Sequence, residues 1–237
     1  MKITGSVALV TGANRGIGAA IARALLEAGA AKVYAGARDP KSVTDQRLTP
    51  VRLDVTSADD IEAAARLASD VDIVVNNAGV SGPEARLLTG SLDVARAVME
   101  TNLFGPWQIA RAFAPILAAN GGGALVNVLS AGSWAAMSAA PAYTASKAAE
   151  WSLTNALRLG LAKQHTLVVG VHSGFVDTDL SSNVRATKIS ADDLAEQVVR
   201  ALAEDRAEVL ADEFTVATRR ALADGIEAMQ AISPFAG

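Results

Sequence analysis

The chain has 237 residues, of which 51% are hydrophobic and 19% charged, so its composition is far from that of disordered proteins. The absence of cysteine excludes a disulfide framework and a thiolate zinc site, and two histidines are too few for a multi-histidine metal site. With a net charge of −4, no signal-peptide pattern and no apolar run of membrane-spanning length, we expect a cytoplasmic protein that binds neither nucleic acid nor membranes nor a metal.

Short β-branched runs alternate with alanine-rich helical stretches along the chain. The predicted strands are Val7–Thr11, Lys32–Ala37, Val51–Asp54, Asp72–Val75, Ala124–Leu129, Leu167–Val171 and Glu208–Leu210. The predicted helices are Ile17–Ala28, Ala58–Ala68 with Ser57 as its N-cap, Thr101–Ala119, Tyr143–Leu161 and Ala191–Ala203. The strands are apolar throughout, as parallel strands buried on both faces are. The pattern predicts a single doubly wound, Rossmann-type α/β domain over residues 1–237, with about seven parallel strands and helices on both faces.

A glycine-rich loop joins the first predicted strand to the first predicted helix. Its spacing is Gly-x-x-x-Gly-x-Gly instead of the usual Gly-x-Gly-x-x-Gly, and it lacks the Gly-Lys-Ser/Thr of a Walker loop. Glycines here permit a tight turn, and N–H groups at a helix N-terminus can face a pyrophosphate, although an ordinary glycine turn is the alternative. We therefore predict a dinucleotide site that includes Gly12, Asn14, Arg15, Gly16, Ile17 and Gly18.

The end of the second predicted strand indicates which dinucleotide binds. In such folds an acidic residue at this place binds the adenosine ribose 2′-hydroxyl, whereas an arginine favours a 2′-phosphate. Ala37 takes the acidic place, Arg38 follows it, and Arg15 could reach the same phosphate. Asp39 is a counter-signal, and we expect its side chain to point away. A lone arginine would often be a solvated surface residue, but the pair predicts NADP(H) in preference to NAD(H).

Tyr143 and Lys147 lie at the start of the second long helix, four residues apart. Residues at this spacing share a helix face, so the phenol and the ammonium can share a pocket. A nearby ammonium favours the phenolate of a tyrosine, whose ordinary pKa is about 10. Ser130 ends the fifth strand, at the edge where open α/β sheets bind ligands, so its hydroxyl could bond a substrate oxygen. Ser133 and Ser138, in the following loop, are alternatives to it.

These motifs, in this order, resemble the classical short-chain dehydrogenase/reductase family over nearly the whole chain. The resemblance rests on the glycine-rich loop, Asp54-Val55 after the third strand, Asn76-Asn77-Ala78-Gly79 after the fourth, Asn102, Ser130 and Tyr143-x-x-x-Lys147. It implies an oxidoreductase that interconverts a small-molecule ketone or aldehyde and an alcohol by hydride transfer, with NADP(H) as cofactor. It also implies a homotetramer, with a dimer as the second possibility, assembled through the two long helices.

The resemblance implies a role for each matching residue. Tyr143 would give its proton to the carbonyl oxygen, Ser130 would polarise that oxygen, and Lys147 would bond the nicotinamide ribose and lower the Tyr143 pKa. Asn102 would hold a water in the proton relay, with a helix N-cap as its structural alternative. The adenine would be held by Asp54 and Val55, and the cofactor approached by Asn77, Ala78 and Gly79, where a structural role is the alternative for Asn76 and Asn77.

After the sixth strand the chain departs from the family pattern, which is Pro-Gly and then a threonine that bonds the nicotinamide carboxamide. Ser173 stands in place of the proline, while Gly174, Val176 and Thr178 keep the spacing. We expect the contact to be retained with one φ restraint fewer. His172, at the end of the strand, is expected to be structural.

The predicted substrate lid, Asp179–Ser190, is short and polar, which predicts an open pocket. Trp134, Met137 and Phe175 flank the expected site, either as an apolar wall or as core packing, so the expected substrate is of modest size and largely apolar. Two other functions are alternatives. A nucleotide-sugar epimerase shares Tyr-x-x-x-Lys but normally carries a C-terminal substrate domain, for which 237 residues leave no room. The second alternative is a catalytically inactive redox sensor that binds NADP. Such a protein would not need Ser130, Tyr143 and Lys147 together, and all three are present here.

Overall fold

In the computed structural model, which describes residues 1–232, seven parallel strands form a central sheet. The strands of the chain are β1 (Val7–Thr11), β2 (Lys32–Ala37), β3 (Thr49–Arg52), β4 (Ile73–Asn76), β5 (Ala124–Val128), β6 (Leu167–His172), β7 (Phe175–Val176), β8 (Lys188–Ile189) and β9 (Glu208–Leu210). The central sheet has the order β3-β2-β1-β4-β5-β6-β9, while β7 and β8 pair with each other. Because the order reverses between β1 and β4, the carboxyl edge there forms the crevice in which such sheets bind ligands.

Helices cover both faces of this sheet. They are α1 (Gly16–Glu27), α2 (Ala58–Leu67), α3 (Leu92–Met99), α4 (Gly105–Ala119), α5 (Pro141–Leu161), α6 (Ala191–Ala203), α7 (Glu213–Asp224) and α8 (Ile226–Ile232). The predicted N-cap is confirmed, since Ser57 Oγ accepts the Asp60 amide at 3.3 Å. No helix within residues 1–232 is long and apolar enough to cross a membrane.

Two apolar layers hold the helices to the sheet. On one face α1 and α6 bury Ile21 and Leu194 against the strands. On the other face α2, α4 and α5 pack against the strands, with the ring of Phe113 inaccessible to solvent. Burial of a side chain of this size stabilises a fold by about 1.5–3 kcal/mol. The predicted doubly wound architecture, with seven parallel strands and helices on both faces, is confirmed.

Several predicted boundaries were wrong. Strand β3 spans Thr49–Arg52 instead of Val51–Asp54, so Asp54 lies beyond the strand. The helix predicted from Thr101 starts as α4 only at Gly105, after a π-helical turn at Glu100–Phe104 that continues from α3. The Gly105 amide bonds the Glu100 carbonyl five residues earlier, which is the π pattern.

Helices α3, α7 and α8 and strands β7 and β8 were not predicted from the sequence. Helix α7 shows why, because the residues that it buries are Thr215, Thr218 and Ala221. Threonine and alanine do not produce the strong apolar periodicity that marks an amphipathic helix. The two strands of the small sheet are only two residues long, which is too short for an alternating pattern.

Candidate active site

The glycines of the glycine-rich loop lie where a side chain would be strained or would meet neighbouring atoms. Gly12 and Gly16 have φ of +64° and +54°, in the left-handed region that favours glycine. A Cβ placed on Gly18 would lie 2.3 Å from the Gly12 carbonyl oxygen and 2.4 Å from Asn77 Nδ2. Arg15 is the N-cap of α1 but makes no side-chain bond to the helix. The first N–H groups of α1 therefore lack a side-chain cap and suit a bound anion such as a pyrophosphate.

The residues that follow β4 brace this loop. Asn77 Nδ2 donates to the carbonyl oxygens of Thr11 and Gly12 at 2.9 and 3.2 Å, and the amides of Asn77 and Ala78 donate to Thr11 Oγ1 at 3.0 Å. Asn76 Nδ2 donates to Asn127 Oδ1 at 2.9 Å and so ties β4 to β5. Asn76 and Asn77 thus have a structural role, and they shape the floor of the crevice.

Arg38 and Arg52 lie near the end of β2. Ala37 is buried, while Arg38 is exposed. Asp39 accepts the Lys41 amide at 3.0 Å and caps a short turn. Arg52, which the sequence analysis did not single out, donates from Nη1 to the Arg38 carbonyl oxygen at 3.4 Å. Two cationic side chains therefore start from neighbouring strand ends, a place that suits a phosphate group.

Asp54 and Val55 lie just beyond β3. The Asp54 carboxylate accepts the Thr56 amide at 2.9 Å and the Thr56 hydroxyl at 2.7 Å. The backbone bond, with help from the hydroxyl and from the charges of Arg38 and Arg52, holds the pKa of Asp54 below its ordinary value against the opposing effect of burial. Val55 is buried and packs against the start of α4. A Cβ on Gly105, the first residue of α4, would lie 2.9 Å from Val55 Cγ2.

Ser130 lies in a turn against the first turn of α5. Its Oγ accepts the Gly132 amide at 3.0 Å, which leaves the hydroxyl hydrogen free to donate elsewhere. A Cβ on Gly132 would lie 3.2 Å from both Ser130 Oγ and Thr144 Cγ2, and 3.6 Å from the Met137 methyl. Ser130 therefore lies beside the helical turn that carries Tyr143, with an apolar methyl group nearby. Of the two alternative serines, Ser133 is buried and Ser138 exposed.

Lys147 is buried, one helical turn after the half-buried Tyr143. Its Nζ donates to the Val128 carbonyl oxygen at 2.8 Å and to Glu150 Oε2 at 2.7 Å. Burial by itself lowers the pKa of Lys147, but the attraction of Glu150 and of Tyr143 outweighs it, and the pKa is raised. Lys147 is therefore an ammonium ion inside the fold. Glu150 was missed by the sequence analysis, although its i+3 spacing from Lys147 is the signal that could have found it.

Asn102 lies inside the π-helical turn, so the alternative of a helix N-cap was wrong. Its Oδ1 accepts the Val80 amide, and its Nδ2 donates to the Val80 carbonyl oxygen and to Ser146 Oγ, each at 2.9 Å. Ser146 Oγ in turn donates to the Tyr143 carbonyl oxygen at 2.7 Å. A Cβ on Gly79 would lie 3.4 Å from Asn102 Oδ1 and 3.9 Å from Lys147 Nζ. Asn102 thereby links the segment after β4 to the turn of α5 that carries Tyr143 and Ser146.

Backbone hydrogen bonds hold the loop after β6 where the family has a proline. The Ser173 carbonyl oxygen accepts the Ala131 amide at 2.8 Å. The Gly174 amide donates to Asp212 Oδ2 at 2.7 Å, while Asp212 Oδ1 also accepts the Thr215 amide at the start of α7. Asp212, which was not identified from the sequence, therefore ties this loop to the start of α7.

Thr178, four residues after Gly174, lies beside the glycine-rich loop. A Cβ on Gly16 would lie 3.3 Å from the Thr178 methyl, so the two predicted ends of the cofactor site meet. Val176 is buried and pairs with Ile189, which ties the predicted lid to β7. Arg15 pairs with Asp179 of the lid, and both side chains are largely exposed. Such an exposed pair contributes at most about 1 kcal/mol, so it leaves Arg15 available to an anion.

His172 is structural, as expected. It is inaccessible to solvent and stacks on Trp134, with ring centroids 4.0 Å apart, while Trp134 meets Trp151 edge-on. Burial lowers the pKa of His172 to about 4, against the opposing effect of its bond to the Ser130 carbonyl oxygen. Trp134 is thus engaged with His172 and Trp151, while the Met137 methyl lies beside Gly132 in the Ser130 turn.

A cavity of about 430 Å³ lies beside the glycine-rich loop. Its lining residues include Asn14, Arg15 and Gly16 of the loop together with Thr44, Asp45 and Asp192. It borders the loop and not Ser130. Ile17 is half-buried in the first turn of α1.

Comparisons with known proteins agree with this geometry. The profile of the short chain dehydrogenase family matches residues 6–189. An uncharacterised oxidoreductase of Staphylococcus aureus strain USA300 is 30% identical over 227 residues, which cover 90% of this chain and 97% of the relative. A short chain dehydrogenase from Burkholderia cenocepacia J2315, solved in complex with NADP, is 39% identical over 98% of both chains, with a TM-score of 0.92. A short chain dehydrogenase/reductase from Burkholderia phymatum in complex with NAD is 25% identical over 96% of both chains, with a TM-score of 0.85.

Proposed function

The chain belongs to the short chain dehydrogenase family of oxidoreductases, and we propose that it interconverts ketones or aldehydes and alcohols with NADP(H). We further propose that residues 1–237 act as one dinucleotide-binding and catalytic domain in the cytoplasm. The observation that carries the proposal is the packing of the Ser130 turn on the first turn of α5, one turn before the buried Lys147 ammonium. This packing supports a site at the carboxyl edge of the sheet in which a hydroxyl donor, a phenol and a cation act on one substrate.

The residues fit a nicotinamide dinucleotide. A Cβ on Gly18 would clash with the loop, and the uncapped N-terminus of α1 can receive the pyrophosphate. We assign the adenine to Asp54 and Val55, and the nicotinamide end to Lys147, Gly174, Val176 and Thr178, with Asn77, Ala78 and Gly79 along the crevice. The relatives include both an NADP complex and an NAD complex, so the preference for NADP(H) rests on this chain's own residues. Arg38 beside the apolar Ala37 supports it.

The proposed chemistry uses three side chains. When bound, the nicotinamide supplies the hydride for reduction or accepts it in oxidation. Ser130 donates its hydroxyl hydrogen to the substrate oxygen, because its own Oγ is oriented by the Gly132 amide. Tyr143 gives its phenolic proton to the same oxygen as negative charge develops there. In the oxidative direction the phenolate takes the proton of the alcohol.

Lys147 supports both the cofactor and the tyrosine in this scheme. An ammonium has three N–H donors, and Val128 and Glu150 use two of them. We assign the third to the nicotinamide ribose. The positive charge stabilises the phenolate of Tyr143 in the oxidative direction. Asn102 orients this group of residues through its bonds to Val80 and Ser146. We assign to Asn102 the water of the proton relay.

The surroundings of the site support a largely apolar substrate of modest size, because the Met137 methyl lies close to Ser130. A homotetramer, with a dimer as the second possibility, is supported by apolar side chains that α4, α5 and the π-helical turn leave exposed. Phe104 and Trp107 stack with ring centroids 6.5 Å apart, and Leu159 is 83% exposed. Apolar surface of this kind marks interfaces between subunits.

The replacement Tyr143→Phe tests the proposed reaction. It keeps the ring and its packing but removes the proton, so we expect kcat to fall at least ~10²-fold with little change in NADPH affinity. The measurement is NADPH oxidation with a panel of aldehydes and ketones, together with NADPH titration. Near-full turnover of the variant, with the chemical step rate-limiting, would show that the proton donor lies elsewhere. Tight NADPH binding without oxidation by any carbonyl would favour the redox-sensor alternative.

A further inference from the structure

Asp212 joins the first turn of α7 to the loop after β6, and none of the steps above uses it. Its Oδ1 accepts the Thr215 amide and its Oδ2 accepts the Gly174 amide, each at 2.7 Å. The first of these bonds is a helix N-cap, which a serine or an asparagine makes about equally well. The N-caps of α2, α3 and α6 are serines, namely Ser57, Ser91 and Ser190. The bond to Gly174 uses a second oxygen, which capping does not need.

The register of the sheet brings Asp212 and Gly174 together. Strands β6 and β9 are parallel, with His172 opposite Leu210. Gly174 and Asp212 each follow this pair by two residues. A Cβ on Gly174 would lie 3.1 Å from Phe214 Cδ1 and 3.3 Å from Asp212 Oδ1, closer than side chains ordinarily approach. The loop therefore runs directly against the first turn of α7, and a glycine permits this close approach.

The same loop is held from its other side by the turn that carries Ser130. The Ser173 carbonyl oxygen accepts the Ala131 amide at 2.8 Å. Gly174, the next residue, is assigned above to the nicotinamide end of the cofactor. A serine at position 173 leaves φ without the restraint of a proline ring, so hydrogen bonds to neighbouring elements restrain the loop instead. Two consecutive residues thus join the loop to the Ser130 turn and to α7.

We propose that Asp212 is a positioning residue for the nicotinamide half of the site and acts through the Gly174 amide. The inference rests on the function proposed above. Without the carboxylate, the Gly174 amide loses its acceptor, and the loop gains freedom that binding of the nicotinamide must remove. The adenine is assigned to Asp54 and Val55 beyond β3, and β3 and β9 are opposite edges of the sheet. The effect of losing Asp212 should therefore be confined to one end of the cofactor.

Two ligands distinguish the two halves of the site. NADPH occupies both, whereas 2′-phospho-ADP-ribose carries the adenosine, its 2′-phosphate and the pyrophosphate without the nicotinamide ring. We expect Asp212→Ala to weaken NADPH binding about tenfold, near the lower end of what a hydrogen bond to a charged group contributes. Binding of 2′-phospho-ADP-ribose should stay within about twofold of the wild type, as measured by isothermal titration calorimetry. A merely structural role as a helix cap would leave the ratio of the two affinities unchanged.

Two further variants separate the helix cap from the bond to the loop. Asp212→Asn keeps the size of the side chain and one acceptor oxygen, which we expect to stay on the Thr215 amide because asparagine is a strong N-cap. Asp212→Asn should therefore resist urea better than Asp212→Ala, while its NADPH binding weakens by the same factor. Ser57→Ala removes the bond from the Asp60 amide that caps α2, away from the loop. This control should lower stability and leave the affinities for both ligands unchanged.

Hydrogen exchange in the ligand-free protein measures the loop itself. Amides within residues 172–178 should exchange about tenfold faster in Asp212→Ala and Asp212→Asn than in the wild type, because the Gly174 amide has lost its acceptor. Exchange of the same amides should be unchanged in Ser57→Ala. Circular dichroism checks the fold of each variant.

An unchanged ratio of affinities or unchanged exchange of the loop amides in Asp212→Ala overturns the inference. If Asp212→Ala does not fold, the same two results in Asp212→Asn overturn it. A wild type that binds neither ligand would contradict the proposed function. Faster exchange of the loop amides in Asp212→Ala would in that case still support the anchoring of the loop by Asp212, because this measurement needs no cofactor.

Discussion

His172 leads to a quantitative prediction for the pH dependence of stability. Its ring is inaccessible to solvent, and its Nδ1 lies 3.2 Å from the Ser130 carbonyl oxygen, an acceptor, so Nδ1 carries the hydrogen of the neutral ring. Burial lowers its pKa from 6.5 to about 4, and the positive charges of Arg158, Arg219 and Lys147 act in the same direction. The perturbation is His172→Gln, which removes the titrating ring and keeps a side-chain amide that can donate to the same oxygen.

The sign follows from the two states. The unfolded chain binds a proton at His172 as the pH falls through about 6.5, whereas the folded protein binds this proton only near pH 4. In that window the unfolded state binds more protons, so the free energy of unfolding falls as the pH falls. The full difference between 6.5 and about 4 corresponds to about 3 kcal/mol, of which about 2 kcal/mol is lost by about pH 5. The free energy of unfolding of His172→Gln should not show this pH-dependent loss, because the variant has no titrating ring at this position.

The assay is urea unfolding of the wild type and of His172→Gln at about pH 8 and about pH 5. The control is His165→Asn, since His165 is exposed with φ of +61°, a conformation that asparagine tolerates, and the chain has no third histidine. Between the two pH values, the wild type and His165→Asn should each lose about 2 kcal/mol more than His172→Gln. Equal losses in all three proteins would refute the reasoning that His172 is buried in its neutral form.

Two further predictions concern the cofactor and the assembly. The wild type should bind NADPH more tightly than NADH by roughly 1–3 kcal/mol, because Arg38 and Arg15 can make charge-assisted bonds to a 2′-phosphate, and Arg38→Asp should shift the preference toward NADH. Titration of both cofactors checks this, and equal or reversed affinities in the wild type would contradict it. Light scattering should give the mass of a tetramer or, second, a dimer, whereas a mass near 24.3 kDa would exclude both.

Local patterns in the sequence were enough to predict the central architecture. Short apolar runs marked most strands of the sheet, because strands buried on both faces need apolar side chains, whereas the mostly exposed β3 was placed two residues too late. The glycine-rich loop was recognisable because positive φ at Gly12 and Gly16 and the close contacts of Gly18 favour glycine at these positions. Tyr143 and Lys147 were placed on one helix face from the sequence, because residues four apart lie on the same face of a helix. Each of these features depends on residues that are near neighbours in the chain.

The tertiary structure alone decided which distant groups meet. The π-helical turn places Asn102 between Val80 and Ser146, and Asp212 reaches the Gly174 amide from α7; neither pairing has a local sequence pattern. The burial of Glu150 beside Lys147 depends on the packing of several elements against α5, so a charge at this position would be read from the sequence as a solvated helix face. The reason is physical: spacing along a chain determines local geometry, but burial, and with it the strength of every charge interaction, is a property of the assembled fold.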